Sequence, residues 1–291
     1  MKKTVKIIFS VVLSVAMVLS LALTAYGASS LTSDFTVTVE KGKVFDENGD
    51  LYTGWYIKNR HKYYAENGRC ARGWKKIGKQ YYYFAADYAM AKNKIVGSKS
   101  KGYYYVDKSG ARVTSNEIKM AVDFVMKNSN PASRQRNRLK QCFDALRKYP
   151  YVGKSDTPPG ASQLPSYARY MFTRQCGDCY YYGITMAYIA RVLGYDSRAA
   201  MGAVTAWGPA HPLSPHGWCE VRVDSGWKMI DCSMQNGHPD ANLFFVGRDR
   251  YPYRLRCDKT YALNINNGKE MGFSHGGQFR NRSRLCRGTS L

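Results

Sequence analysis

Beyond its first 28 residues this 291-residue sequence contains no run apolar enough to cross a bilayer. It is also short of acid: 21 Asp and Glu stand against 44 Lys and Arg. The first shortage excludes a protein that spans the membrane repeatedly with apolar helices. The second leaves a formal net charge of +23, which favours anionic partners and also helps to keep a chain soluble. Histidine is scarce, with five copies, so few side chains can serve as a base near neutral pH. The eight cysteines (Cys70, Cys142, Cys176, Cys179, Cys219, Cys232, Cys257, Cys286) show no repeating spacing, and several lie in apolar patterns where cysteine acts as a small buried hydrophobe. Most are therefore expected in the core, with their pairing left open. Cys176-Gly-Asp-Cys179 has the CxxC form, but Tyr170 to Gln175 does not read as the buried strand that precedes a thioredoxin-type site. A zinc site lacks a second ligand pair at suitable spacing, and would have to draw on His211, His216 and Cys219. No metal or cofactor is expected.

The first 28 residues are the exception to these shortages. Lys2, Lys3 and Lys6 precede an apolar stretch, Ile7 to Leu23, and a small-residue exit at Ala25 to Ala28, the order of a secretory signal peptide over residues 1–28. An uncleaved anchor is the rival, since the stretch approaches the roughly 20 residues that span hydrocarbon. Either way the remainder is expected outside the cytoplasm, with no stable membrane insertion once the signal is removed. There the positive charge faces anionic wall polymer, acidic lipid or anionic glycan rather than nucleic acid.

Residues 31–114 are crowded with Tyr, Gly and Lys and carry a weak repeat. Phe45-Asp-Glu-Asn-Gly returns as Tyr64-Ala-Glu-Asn-Gly nineteen residues later, and Gly54-Trp55 returns as Gly73-Trp74 at the same interval. Degenerate copies follow at Tyr81 to Phe84 and Tyr103 to Gly110. Aromatics followed by Asn-Gly-like turns are the pattern of short β-hairpins, which must share contacts because one hairpin cannot bury its own face. The repeat resembles the choline-binding, cell-wall-binding type of Gram-positive surface proteins. That resemblance implies a small hairpin solenoid in which Trp55, Tyr63, Trp74 and Tyr82 wall cages for a quaternary ammonium or a sugar ring. The third unit reads Val96-Gly97 where a Gly-Trp would stand, so one or two complete cages are implied. Aromatics that only fill the solenoid core are the alternative.

The rest of the chain changes character. Apolar spacing predicts helices over Asn116 to Asn128, with Ser115 as cap, and over Ser133 to Tyr149. Tyr151 to Pro165 reads as a long surface loop. Residues 264–291 have little apolar content and read as a poorly ordered basic tail. Between them, Cys179 opens a helix running from Tyr180 to Leu193 and capped by Asp178. A thiol in a first helical turn meets backbone N–H groups and a dipole that favour its thiolate. His216 to Val223 alternates like a strand, Asp224 to Gly226 is a turn, and Trp227 to Asp231 is a return strand; Asp231 thereby comes within reach of His216. Cys219 and Cys232 should face away from that pair. Cys176 is the competing nucleophile, and His211 and His238 are competing bases in loops.

Three ordered blocks, Gly177-Asp-Cys-Tyr-Tyr-Tyr-Gly through Arg198, His216-Gly-Trp-Cys-Glu-Val and Trp227-Lys-Met-Ile-Asp231, resemble the transglutaminase-like superfamily. The resemblance spans roughly Ser115 to Tyr261. It implies an α+β, papain-like domain over residues 115–263 with Cys179 as nucleophile, His216 as general base and acid, and Asp231 as its orienter. Such a trio attacks a protein or peptidoglycan-peptide amide through a thioester. The superfamily also includes members without activity, so a binding protein on the same scaffold is the other reading. The Cys179 N–H is a natural oxyanion donor, Gln175 a candidate for the second, and Trp207 a candidate cleft wall.

Overall fold

A computed structural model describes residues 37–153, 157–263, 265–266 and 269–270. The expected signal segment, residues 1–28, lies outside the described residues, as does most of the expected tail. Among the described residues no helix is long and apolar enough to cross a membrane. The chain divides into two units, residues 1–71 and 72–291.

Alternating aromatic positions and tight turns build the first unit. Strands β1 (Thr38–Glu40) and β2 (Lys43–Phe45) form one pair; β3 (Gly54–Lys58), β4 (His61–Glu66) and β5 (Arg69–Cys70) form a three-stranded antiparallel sheet. Its turns lie at Asn59-Arg60 and Asn67-Gly68, where all four residues have positive φ, the geometry that matches the twist of flanking strands. Val44, Tyr56 and Ala65 are the small core.

In the second unit, β6 (Gly73–Ile77) pairs with β7 (Gln80–Phe84), and β8 (Lys94–Ser98) pairs with β9 (Gly102–Val106). Helices α1 (Asn116–Asn128), α2 (Gln135–Leu146), α3 (Leu164–Arg174), α4 (Cys179–Val192) and α5 (Cys232–Gly237) accompany a five-stranded antiparallel sheet. Its strands are β10 (Asp196–Val204), β11 (Ser214–Val223), β12 (Gly226–Ile230), β13 (Phe244–Val246) and β14 (Leu255–Ala262), in the order β13-β12-β11-β10-β14. Helices packed on an antiparallel sheet give the mixed α and β architecture expected.

The core sits between α4 and the sheet. Every residue from Tyr182 to Val192 is buried, as suits a helix packed on several sides. The opposite sheet face carries its own cluster around Trp218, Met229 and Leu243.

Several boundaries differ from the sequence reading. Tyr105 and Val113 belong to the same core as the helices, and Tyr105 Oη donates to Asn93, whose amide donates to Gly194 O. The last hairpin is therefore packed into the core of the second unit. Helix α3 occupies sequence read partly as loop; Pro165 sits in its first turn, where a missing N–H costs nothing. Ser115 precedes α1 without a side-chain capping bond. Of the expected tail, the described residues are few: Ile265 is buried in the main core, and β15 (Ile265–Asn266) pairs with β16 (Lys269–Glu270).

Candidate active site

Cys179 is the first residue of α4. The Asp178 carboxylate ahead of it accepts N–H bonds from Tyr180 (3.0 Å) and Tyr181 (3.4 Å), satisfying donors that the helix start leaves open. Two glycines let the helix lie directly on β11. A Cβ at Gly183 would stand 2.7 Å from the Trp218 backbone N, and one at Gly217 would stand 2.6 Å from the Tyr180 ring. This close approach sets the buried thiol against the Pro215 carbonyl (4.0 Å), one residue before His216.

His216 is buried, and its Nε2 donates to Asp231 Oδ2 at 2.8 Å. Burial opposes a charged imidazole. The Asp231 carboxylate and its hydrogen bond outweigh that cost, the Cys179 thiol alongside adds to them, and the His216 pKa is pushed up to about 10. Burial works against the Asp231 charge too, but His216, Tyr251 and the Met234 N–H hold that carboxyl below its ordinary range.

Asp231 is not on the return strand. Val223 pairs with Gly226 across a two-residue turn, β12 ends at Ile230, and Asp231 becomes the N-cap of α5. Its two oxygens divide the work. Oδ1 accepts from the Met234 N–H (3.2 Å) and Ser233 Oγ (3.3 Å); Oδ2 accepts from His216 and from Tyr251 Oη (2.7 Å). A carboxylate held at four points can orient an imidazole without swinging away.

Behind His216 the Trp218 ring lies nearly parallel at 6.0 Å, and its Nε1 donates to Glu220 Oε1 at 3.0 Å. Glu220 is fully buried between Arg198 (2.6 Å) and Arg248. Burial alone would raise its pKa; the guanidiniums of Arg248 and Arg198 and the Trp218 indole reverse the shift and keep it charged.

Among the competitors, Cys176 precedes the helix and is half-buried, and His238 donates to the Ala206 carbonyl at 2.8 Å while packing on Tyr253. Cys219 and Cys232 lie in the main core, Cys232 from the first turn of α5. All seven described cysteines are free thiols. Gln175 ends α3 with a left-handed backbone and an exposed side chain. Trp207 is 77% exposed in the β10–β11 connection, so it fills no core.

Sequence reasoning missed Tyr151. Its segment is pinned beside the site by Val152 N–H to Gly177 O (3.0 Å) and Gly177 N–H to Pro150 O (3.3 Å). Its ring stacks on Tyr182, and its hydroxyl lies against the backbone N–H and thiol of Cys179. Burial of that hydroxyl, then the neighbouring Cys179 and Asp178 charges, push its pKa upward. A tyrosine 28 positions before the thiol leaves no local sequence signal; Gly183, an isolated glycine inside a helical pattern, was the legible hint of close packing.

Residues 119–232 match the transglutaminase-like superfamily. That span holds Cys179, His216 and Asp231, and ahead of it residues 71–116 match the choline-binding repeat. A choline-binding repeat is thus followed by a transglutaminase-like domain. Among solved structures, the choline binding domain of Spr1274 from Streptococcus pneumoniae is 30% identical over 22% of this chain and 98% of its own, with a TM-score of 0.20. Choline binding protein F from the same organism is 27% identical over 28% of this chain and 27% of its own (TM-score 0.23). The pneumococcal cell wall endolysin from phage Cp-1, complexed with choline, is 27% identical over 30% and 27% (TM-score 0.23). The chain spans less than a third of the length of those last two. No curated protein matches it.

In the repeats, strand register selects the partners of the two Gly-Trp tryptophans. Trp55 pairs with Tyr64 and packs on it at 5.2 Å, whereas Tyr63 pairs with Tyr56 and stacks on it. Trp74 likewise pairs with Tyr83 at 5.3 Å and meets Tyr104 at 5.7 Å, while Tyr82 sits opposite Lys75. Neighbours along a strand face opposite sides, so the aromatic faces beside Trp55 and Trp74 belong to Tyr64 and Tyr83 rather than to Tyr63 and Tyr82.

Proposed function

We propose that the protein is an exported, wall-associated cysteine enzyme that cleaves or transfers amide acyl groups of proteins or peptidoglycan peptides. The observation that carries this reading is the buried line from Asp231 through His216 to the thiol at the mouth of α4. In this arrangement a Cys179 thiolate attacks the carbonyl carbon of a carboxamide or peptide, and the Cys179 N–H stabilises the oxyanion in place of the Tyr151 hydroxyl. The C–N bond then breaks as imidazolium His216 delivers its proton to the departing ammonia or amine, leaving a thioester on Cys179. Water or an acceptor amine attacks the thioester, His216 takes up the proton released, and the thiolate–imidazolium pair is restored.

Asp231 keeps the ring in register for both proton transfers. The exposed apolar side chains of Tyr151 and Val152 and of Trp207 and Leu213, on loops adjoining the Cys179 and His216 segments, offer a rim for substrate. Association with the wall rests on the family of residues 71–116 and on the positive charge.

The test is incubation of the chain lacking residues 1–28 with a mixed library of peptides and wall fragments, followed by mass spectrometry. Loss of ammonia or of a peptide, absent with Cys179→Ala, is the expected result. A library left unchanged by the parent chain would favour the scaffold reading.

A further inference from the structure

The face of Trp74 is not open. Arg112, carried by the strand-like segment after β9, places its guanidinium carbon 4.3 Å from the Tyr81 ring centroid, 5.0 Å from that of Tyr104 and 5.6 Å from that of Trp74. Tyr81 shares the Trp74 face of β6–β7, since Lys76 pairs with Tyr81 two positions along from the Trp74–Tyr83 pair. Tyr104 stands at 90° to the indole. Three aromatic faces therefore converge on one cation, the arrangement that recognises a quaternary ammonium.

The backbone that carries Arg112 is held in place. Its N–H donates to Tyr81 O (2.9 Å), and bridges Tyr82–Ala111 and Val106–Arg112 hold the adjoining backbone. The Arg112 Nε is buried without a hydrogen-bond partner, and its guanidinium carbon lies over three rings, so the rings are what its charge meets. At Trp55, by contrast, the cation over the ring (4.3 Å) is Lys62, an exposed side chain over that single ring.

We propose that the cage of Trp74, Tyr81 and Tyr104 is filled by the chain's own Arg112 and is thereby closed to choline and other quaternary ammonium ligands. The guanidinium occupies the ligand's place and ties the β6–β7 hairpin to the segment leading into α1. This concerns the repeats alone, so its failure would leave the thiol chemistry untouched.

The experiment is a titration of the chain lacking residues 1–28 with choline chloride at constant ionic strength. It is read by tryptophan fluorescence in a Trp55→Phe background so that the first Gly-Trp does not report. Arg112→Ala should gain a saturable response, with affinity raised roughly tenfold or more over the parent, and adding Trp74→Ala should remove it. A folded Arg112→Ala chain, judged by its near-ultraviolet circular dichroism, that gains no response would overturn the proposal. A second measurement needs no variant at position 112. In the parent chain, magnetisation transfer from choline methyl protons to the Trp74 and Tyr104 rings should be absent at high choline, and its presence would overturn the closed cage.

Discussion

His216 keeps its charge in a buried place because Asp231 is held to meet it. The consequence for stability follows from the direction of the shift. The pKa of His216 is about 10 in the folded chain, above its ordinary value near 6.5 when unfolded. Its contribution is therefore present in full below about pH 6.5 and is lost as pH rises through about 10. The melting temperature of the parent chain should fall more steeply between those limits than that of His216→Asn. Parallel pH profiles of the two would contradict the raised pKa. Tyr251 and Tyr151 were not legible at this scale, since each meets its partner across 20 or more residues and neither lies in a patterned segment.

At the scale of elements, the decisive contact is α4 on β11. Replacing Gly183 by Ala would improve helix propensity by about 1 kcal/mol. It would also press a methyl onto the Trp218 backbone, which cannot yield as a flexible side chain would, and overpacking costs about 1–3 kcal/mol. The clash wins. Gly183→Ala should be less stable in urea unfolding, and it should lose turnover under conditions where it is still folded, because the strand bearing His216 is pushed off the helix start. Unchanged stability and activity would show that the glycine does not set this spacing.

Elements with local signals were readable in advance. The bounds of α1, the start of α4 with its Asp178 cap, and the hairpin that carries His216 all follow from periodicity, capping and turn chemistry. Those decided by tertiary packing were not. Strand β10 is rich in Ala and poor in β-branched residues, and it forms because it lies between β11 and β14. Helix α3 was hidden behind Pro165. Asp231 was read onto the strand that precedes it, although Asp is itself a residue type favoured at helix starts.

For the molecule as a whole, the excess of positive charge and the filled Trp74 cage lead to one expectation about the wall. Retention on anionic wall polymer should weaken as salt approaches roughly 1 M, where the screening length is about 3 Å. Choline chloride should elute a Trp55→Ala chain no better than sodium chloride at equal ionic strength. Selective elution by choline would show that quaternary-ammonium recognition, not charge, holds the protein there.

The proposed thiol chemistry depends on a single arrangement, an imidazolium steadied by a buried carboxylate and set against the thiol that opens a helix. Its most direct test is the alkylation rate of each cysteine by iodoacetamide near neutral pH, resolved by mass spectrometry, in the parent chain and in Asp231→Asn. Cys179 should react first in the parent, ahead of the other thiols by roughly tenfold or more, and should lose that lead in Asp231→Asn while the variant stays folded. Even labelling across the cysteines, or a Cys179 rate indifferent to Asp231, would contradict it.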